Sequence, residues 1–171
     1  YDVVAQEPEL IRTNNQSTLF NQSYFQMQLS LLMGNIEEGL RYAERAMASR
    51  QTVVGTSISL QALFIDALLR FHAVQQGLNS KRRKEIARIK KQCKQLRKVV
   101  QTSPGDFTHK VRCLEACIFA LEGKIEKALT AISQALDIVQ TSGNLYDKCF
   151  IALETYRLHR YFANKESTLE T

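Results

Sequence analysis

An all-α fold, with antiparallel helical hairpins stacked as a solenoid of about seven helices, is predicted by three observations. The first is a recurring phrase. MGNIEEGLRYAERAM at Met33–Met47 and EGKIEKALTAISQAL at Glu122–Leu136 each read as a helix end, a Gly-containing turn and a second amphipathic helix. Aligning Gly34 with Gly123 superposes Ile36 on Ile125, Glu37 on Glu126, Leu40 on Leu129 and Ala46 on Ala135. The second is spacing: a related turn, QQGLNSKRRKEI, has Gly77 as its hinge, so the three glycines stand 43 and 46 residues apart, the length of a helical-hairpin repeat. The third is composition. With 2 prolines and 7 glycines in 171 residues, 44% hydrophobic and 23% charged, the chain is helix-rich and able to bury a core.

Element by element, the first dozen residues, with Pro8, read as the tail of a preceding helix and a connector. A helix then spans about Thr18–Met33, with Leu19, Phe20, Phe25, Leu29, Leu31 and Leu32 as its apolar surface, and Gly34-Asn35 ends it. Its partner, about Ile36–Arg50, carries Leu40, Ala43, Ala46 and Met47, with Gly39 marking a close backbone contact. The segment Val53–Gln76 is apolar on nearly every side and belongs in the middle of a stack, with Asp66 and Arg70 spaced to pair. Asn79 or Ser80 caps a basic helix that runs to about Thr102. Ser103-Pro104-Gly105 breaks it, and Asp106 is placed to cap the next helix, Thr108–Glu122. Lys124–Thr141 follows, with a stripe of Ile125, Leu129, Ile132, Leu136 and Val139. Gly143-Asn144 closes it before a last helix, about Leu145–Asn164, whose Tyr156, Tyr161 and Phe162 are left to pack or to meet a further repeat.

The order Gly123-Lys124-Ile125-Glu126-Lys127-Ala128-Leu129, followed by Ala135-Leu136, resembles the turn-and-second-helix signature of the tetratricopeptide-repeat (TPR) family, and Gly34–Met47 repeats it with Gly39 in place of the usual Ala. The first helices lack the family's Trp-Leu-Gly-Tyr pattern, and the repeat is longer than the family's usual length of about 34 residues. Within Ser103–Phe162, about a third of the chain, Pro104, Phe107-Thr108-His109-Lys110, Glu115-Ala116, Gly123, Gly143 and Ala152-Leu153-Glu154 are similar to the long-repeat helical arrays that follow the signalling ATPase module in large multidomain kinases and in soluble adenylyl cyclase-like proteins. The resemblance implies that residues 1–171 form a single TPR-like segment of a larger protein, with nucleotide chemistry in other domains. The start at Tyr1, without Met or a leader, is read the same way.

Chemistry-bearing patterns are sparse. No phosphate-binding glycine loop, kinase motif, HExxH or GxSxG occurs, so no catalysis and no cofactor are expected in this segment. His72, His109 and His159 fall in different hairpins and read as packed or solvated side chains. Cys93, Cys113, Cys117 and Cys149 lack the spacing of a disulfide framework or a zinc ribbon and read as small apolar residues in a reducing, cytoplasmic compartment. Cys113 and Cys117 share a helical face with His109 one turn earlier, but no second ligand pair accompanies them. The acceptor patterns at Asn15 and Asn21 are read as chance. The uncharged stretch Gln51–Ile65 is too short and polar to span a bilayer.

Charge is the strongest anomaly. Ten basic residues and one acid lie between Lys81 and Lys98, a local +9 in a chain of net +6, so the rest sums to −3. Ile86, Ile89, Cys93, Leu96 and Val100 define a core-facing stripe, and Lys84, Arg88, Lys91, Lys94 and Lys98 are the candidate residues for an acidic partner. The plainer reading of the same residues is a solvated outer face. Nucleic acid fits less well, because no aromatic side chain interleaves with the cations to stack on bases. Two functions follow: a non-catalytic protein-protein interaction scaffold, or a regulatory segment of a signalling enzyme restraining an attached catalytic domain.

Overall fold

A computed structural model describes residues 15–78, 82–142 and 144–167. The fold is all-α: among the described residues there are seven α-helices, one short 3-10 helix and no strand. The helices are α1 (Gln16–Met33), α2 (Ile36–Ser49), α3 (Ser57–Gln75), α4 (Arg82–Thr102), α5 (Pro104–Leu121), α6 (Ile125–Ser142) and α7 (Leu145–Ser167), with the 3-10 turn at Arg50–Val53. They fall into two compact units, Tyr1–Arg82 and Arg83–Thr171.

The three turns foreseen at Gly34, Gly77 and Gly123 share one construction. At Gly34 (φ 80°) the backbone is left-handed, its N–H bonds Leu31 O at 3.2 Å, and the next N–H, of Asn35, reaches back to Ser30 O at 2.8 Å. Gly123 (φ 76°) does the same through Ala120 O at 3.1 Å and, from Lys124, Phe119 O at 2.9 Å. The chain thereby satisfies the orphan carbonyls of each helix end with its own backbone, a conformation that a side chain at the glycine would oppose. Gly77, with Leu78 N bonding Ala73 O at 3.0 Å, repeats it.

In the first unit, α1 packs along α2, and α3 packs on both. The buried face of α1 is Phe20, Tyr24, Met27 and Leu31, with Ser23 and Ser30 between them. Phe25, Leu29 and Leu32, which the sequence reading assigned to the packed surface, are exposed instead. The four, three, four spacing of the true stripe includes a Tyr and a Met, and a leucine count passes over it. Helix α3 begins at Ser57 rather than Val53, because the left-handed Gly55 (φ 86°) and the Thr56 side chain, which accepts from Ser59 N at 3.3 Å, set its start. From Ala62 to Val74 every residue of α3 is buried, including the ion pair of Arg70 Nε with Asp66 Oδ1 at 3.0 Å. By length and composition α3 could cross a membrane, yet 78% of that stretch is buried inside the protein, as a core helix would be.

Gly39 makes the close approach that its position implies. A methyl group there would stand 2.5 Å from Leu69 Cδ2 and 3.2 Å from Ser30 Cβ. Packing on α2 falls on Gly39, Ala43 and Ala46, while Leu40 and Met47 flank the contact half-buried. Helix α6, in the second unit, repeats this: Ala128, Ile132 and Ala135 are buried, and Leu129 and Leu136 are half-buried. The expected stripe on α6 is therefore rotated toward its alanines, and Ile125 is left exposed. Small residues at the seam let α5 and α6 approach closely.

In the second unit, α5 packs against α6 and α7, and α6 against α7. Helix α5 starts at Pro104, earlier than the expected Thr108, since proline is well suited to the first helical position and Ser103 alone interrupts the chain after Thr102. Tyr156 is exposed, Tyr161 half-buried and Phe162 buried. Pro8 and the leading connector, the caps at Asn79 or Ser80, Gly143 and the Asp106 side chain lie outside the described residues.

Candidate functional site

The amphipathic pattern of α4 sorts its cations into two groups. Glu85, Ile89, Gln92, Cys93 and Leu96 are buried, which fixes the rotation of the helix. Lys84, Lys91, Lys94 and Lys98 then point outward, and none of them has an ion-pair partner among the described residues; Arg88 is half-buried at the edge of this face. Two cations that the sequence reading did not single out turn toward α5. Lys90 Nζ meets Glu122 Oε1 at 2.6 Å, and Arg97 Nη2 meets Glu115 Oε1 at 2.7 Å.

Each of these carboxylates is shared. Glu122 also takes Lys124 Nζ at 2.6 Å, and Glu115 takes Arg112 Nη1 at 2.8 Å. The bonds from Lys124 and then Lys90 hold the Glu122 carboxyl below its ordinary range, and the hydrogen bond to Glu115 raises the Arg97 guanidinium. The arrangement zips α4 to α5 while leaving a surplus of positive charge.

Between the two helices lies a depression of about 340 Å³. Its apolar side is Cys93, Ile118 and Phe119, and its polar side is Lys90, Lys94, Arg97 and Glu115. On the far side of α5 a second depression, of about 400 Å³, is more polar, with Arg112, Glu126, Lys127 and Gln134; Glu115 and Phe119 line both. Lys94 is the single member of the sequence-derived set that borders either depression. Lys90 and Arg97 were missed because the run of cations is nearly continuous, and only the position of α5 shows which of them it engages.

A second charged cluster is internal. Lys110 and Asp147 are 1% and 5% exposed, and Lys110 Nζ donates to Asp147 Oδ1 at 2.8 Å, tying α5 to α7. His109 Nε2 lies 3.2 Å from Asp147 Oδ2 and 3.0 Å from Lys110 Nζ, and Lys110 sits over the Phe107 ring at 5.2 Å. Asn144 completes the cluster: its side chain accepts from Asp147 N at 3.2 Å and donates to Asp147 Oδ2 at 3.1 Å, a reciprocal cap of α7. Burial works to raise the Asp147 carboxyl, but the bonds and charges of His109 and Lys110 outweigh it and hold the group below its ordinary value. No apolar or helical period in the sequence announces this cluster, because its members are joined across 37 residues.

The thiols are quiet. Burial, opposed by Arg97 and reinforced by Glu115 and Cys113, pushes Cys93 up to about 11. Burial, followed by the hydrogen bond with Cys113, raises Cys117 well above its ordinary value. Cys149 is exposed. Among the described residues no group of three or more His, Cys, Asp or Glu side chains is arranged to hold a metal ion.

On the first unit the exposed apolar residues of α1 form a stripe of their own: Phe25, Leu29, Leu32 and Met33, the first and last 61% and 70% exposed. Contiguous apolar surface of this kind is uncommon without a use. No protein-family model, curated protein or solved structure matches this chain.

Proposed function

We infer that the chain is a non-catalytic interaction scaffold of TPR-like hairpins, part of a larger cytoplasmic signalling or assembly protein, which holds an acidic protein segment. The observation that carries this reading is the outward face of α4, where Lys84, Lys91, Lys94 and Lys98 stand without carboxylate partners among the described residues, Lys94 at the edge of an accessible depression. A face kept only for solubility gains from interspersed charges of both signs, whereas one sign collected on one helix attracts the opposite sign over about a Debye length. The exposed stripe of α1 adds apolar surface suited to protein contact. The alternative, a regulatory segment acting on an attached enzyme, draws on the likeness of Ser103–Phe162 to the helical arrays of signalling ATPases and cyclase-like proteins.

The reading is tested by titrating the whole chain with fluorescent oligoglutamate and following anisotropy. Binding is expected, weakened at least tenfold when Lys84→Glu, Lys91→Glu and Lys98→Glu are combined. Absence of binding by the unaltered chain would overturn it.

A further inference from the structure

We propose that the depression between α4 and α5 is a docking groove for an acidic peptide segment that carries one bulky apolar side chain. The inference rests on the scaffold reading and deepens it by giving the partner a shape. Cys93, Ile118 and Phe119 provide apolar wall, and the volume of about 340 Å³ lies at the small end for ligand pockets, suited to a single large side chain with its flanking backbone. Around this wall the charge is one-sided. Lys90, Lys94, Arg97, Arg112 and Lys124 supply five cations against the two carboxylates Glu115 and Glu122, a local excess of three positive charges before the outward lysines of α4 are added.

The apolar wall selects among anionic partners: both Glu115 oxygens are already held, by Arg97 and Arg112, so Cys93, Ile118 and Phe119 are what favour a chain with an apolar side chain over one that offers only phosphates. A peptide brings such a side chain and places its own acids over Lys94 and Lys90. The same Glu115 and Phe119 border the second depression beyond α5. Sharing Glu115 and Phe119, the two depressions adjoin across these side chains, so one extended peptide reaches both. Arg112, Lys127, Gln134 and Glu126 line the second and offer the peptide's polar end partners of both signs.

The experiment uses the whole chain and synthetic fluorescent peptides, read by anisotropy. One peptide has a Phe flanked on both sides by Glu, a second replaces that Phe by Ser, and a third replaces each Glu by Gln. The first is expected to bind at least tenfold more tightly than either of the others. Lys94→Glu and Phe119→Ala should each weaken the first peptide. Because the peptide-side comparison needs no altered protein, loss of fold in a variant does not decide the outcome. Equal binding of the Phe and Ser peptides would overturn the groove and leave the scaffold reading standing. Failure of these peptides and of oligoglutamate alike would overturn both. Tighter capture by phosphatidylserine vesicles than by the first peptide, abolished by Lys94→Glu, would overturn the groove in favour of a lipid surface.

Discussion

At Gly39 two effects of opposite sign meet. Alanine would favour the helix by about 1 kcal/mol over glycine, but its methyl would stand 2.5 Å from Leu69 Cδ2, on a side chain with no exposed surface to move into. Overpacking of this kind costs about 1–3 kcal/mol. Gly39→Ala is therefore expected to lower stability by about 1 kcal/mol and Tm by about 2–4 °C in a thermal melt; a rise in Tm would show that Leu69 yields freely. At Asp147 the sign follows from its depressed pKa. The stabilisation is fully present above the ordinary carboxylate value of about 4 and is lost as pH falls through the lower folded value. Asp147→Asn should cost about 3–5 kcal/mol at neutral pH, since Lys110 is left buried without its counter-charge. In urea melts the difference between the two proteins should narrow below about pH 4; a constant difference would mean that packing, not charge, holds α5 to α7.

Single elements were legible to different depths. The periodic helices and their ends were readable because glycine at a helix terminus and apolar spacing act locally, as at Gly34 and Gly123. The packed face was harder to read. On α1 the sequence favoured Phe25, Leu29 and Leu32 over Tyr24 and Met27, because hydrophobicity alone does not say which of two apolar faces meets a neighbour. On α4 the cationic face was visible, but its division into zipped residues (Lys90, Arg97) and open ones (Lys84, Lys91, Lys94, Lys98) depends on the acids of α5. The buried pairing of Lys110 with Asp147 had no sequence signal. Helix burial also ranks the thiols. Cys149 should react first with a thiol reagent near neutral pH, and Cys93, Cys113 and Cys117 only on unfolding, which a time course with Ellman's reagent would resolve. Fast reaction of Cys93 in the folded protein would contradict its burial.

For the molecule as a whole, charge is segregated along the chain. The net +6 is the difference between a strongly cationic α4 region and a remainder that is mildly acidic. Capture of an acidic segment should therefore be sensitive to salt, since the screening length falls from about 10 Å at 0.1 M to about 3 Å at 1 M. The scaffold reading expects oligoglutamate affinity to drop steeply over that range, while the Phe-bearing peptide, held partly by apolar contact, should lose less. Parallel losses would place all the binding on charge.

The construction shared by the turns at Gly34 and Gly123 leaves their surroundings free to vary. At Gly34 and Gly123 the reversal is closed by main-chain atoms and one glycine, so the residues around it are under little obligation to any particular chemistry. Mutational drift could rewrite the solvent side of such a hairpin, swapping one specificity for another, while the framework that spaces the rods is inherited intact.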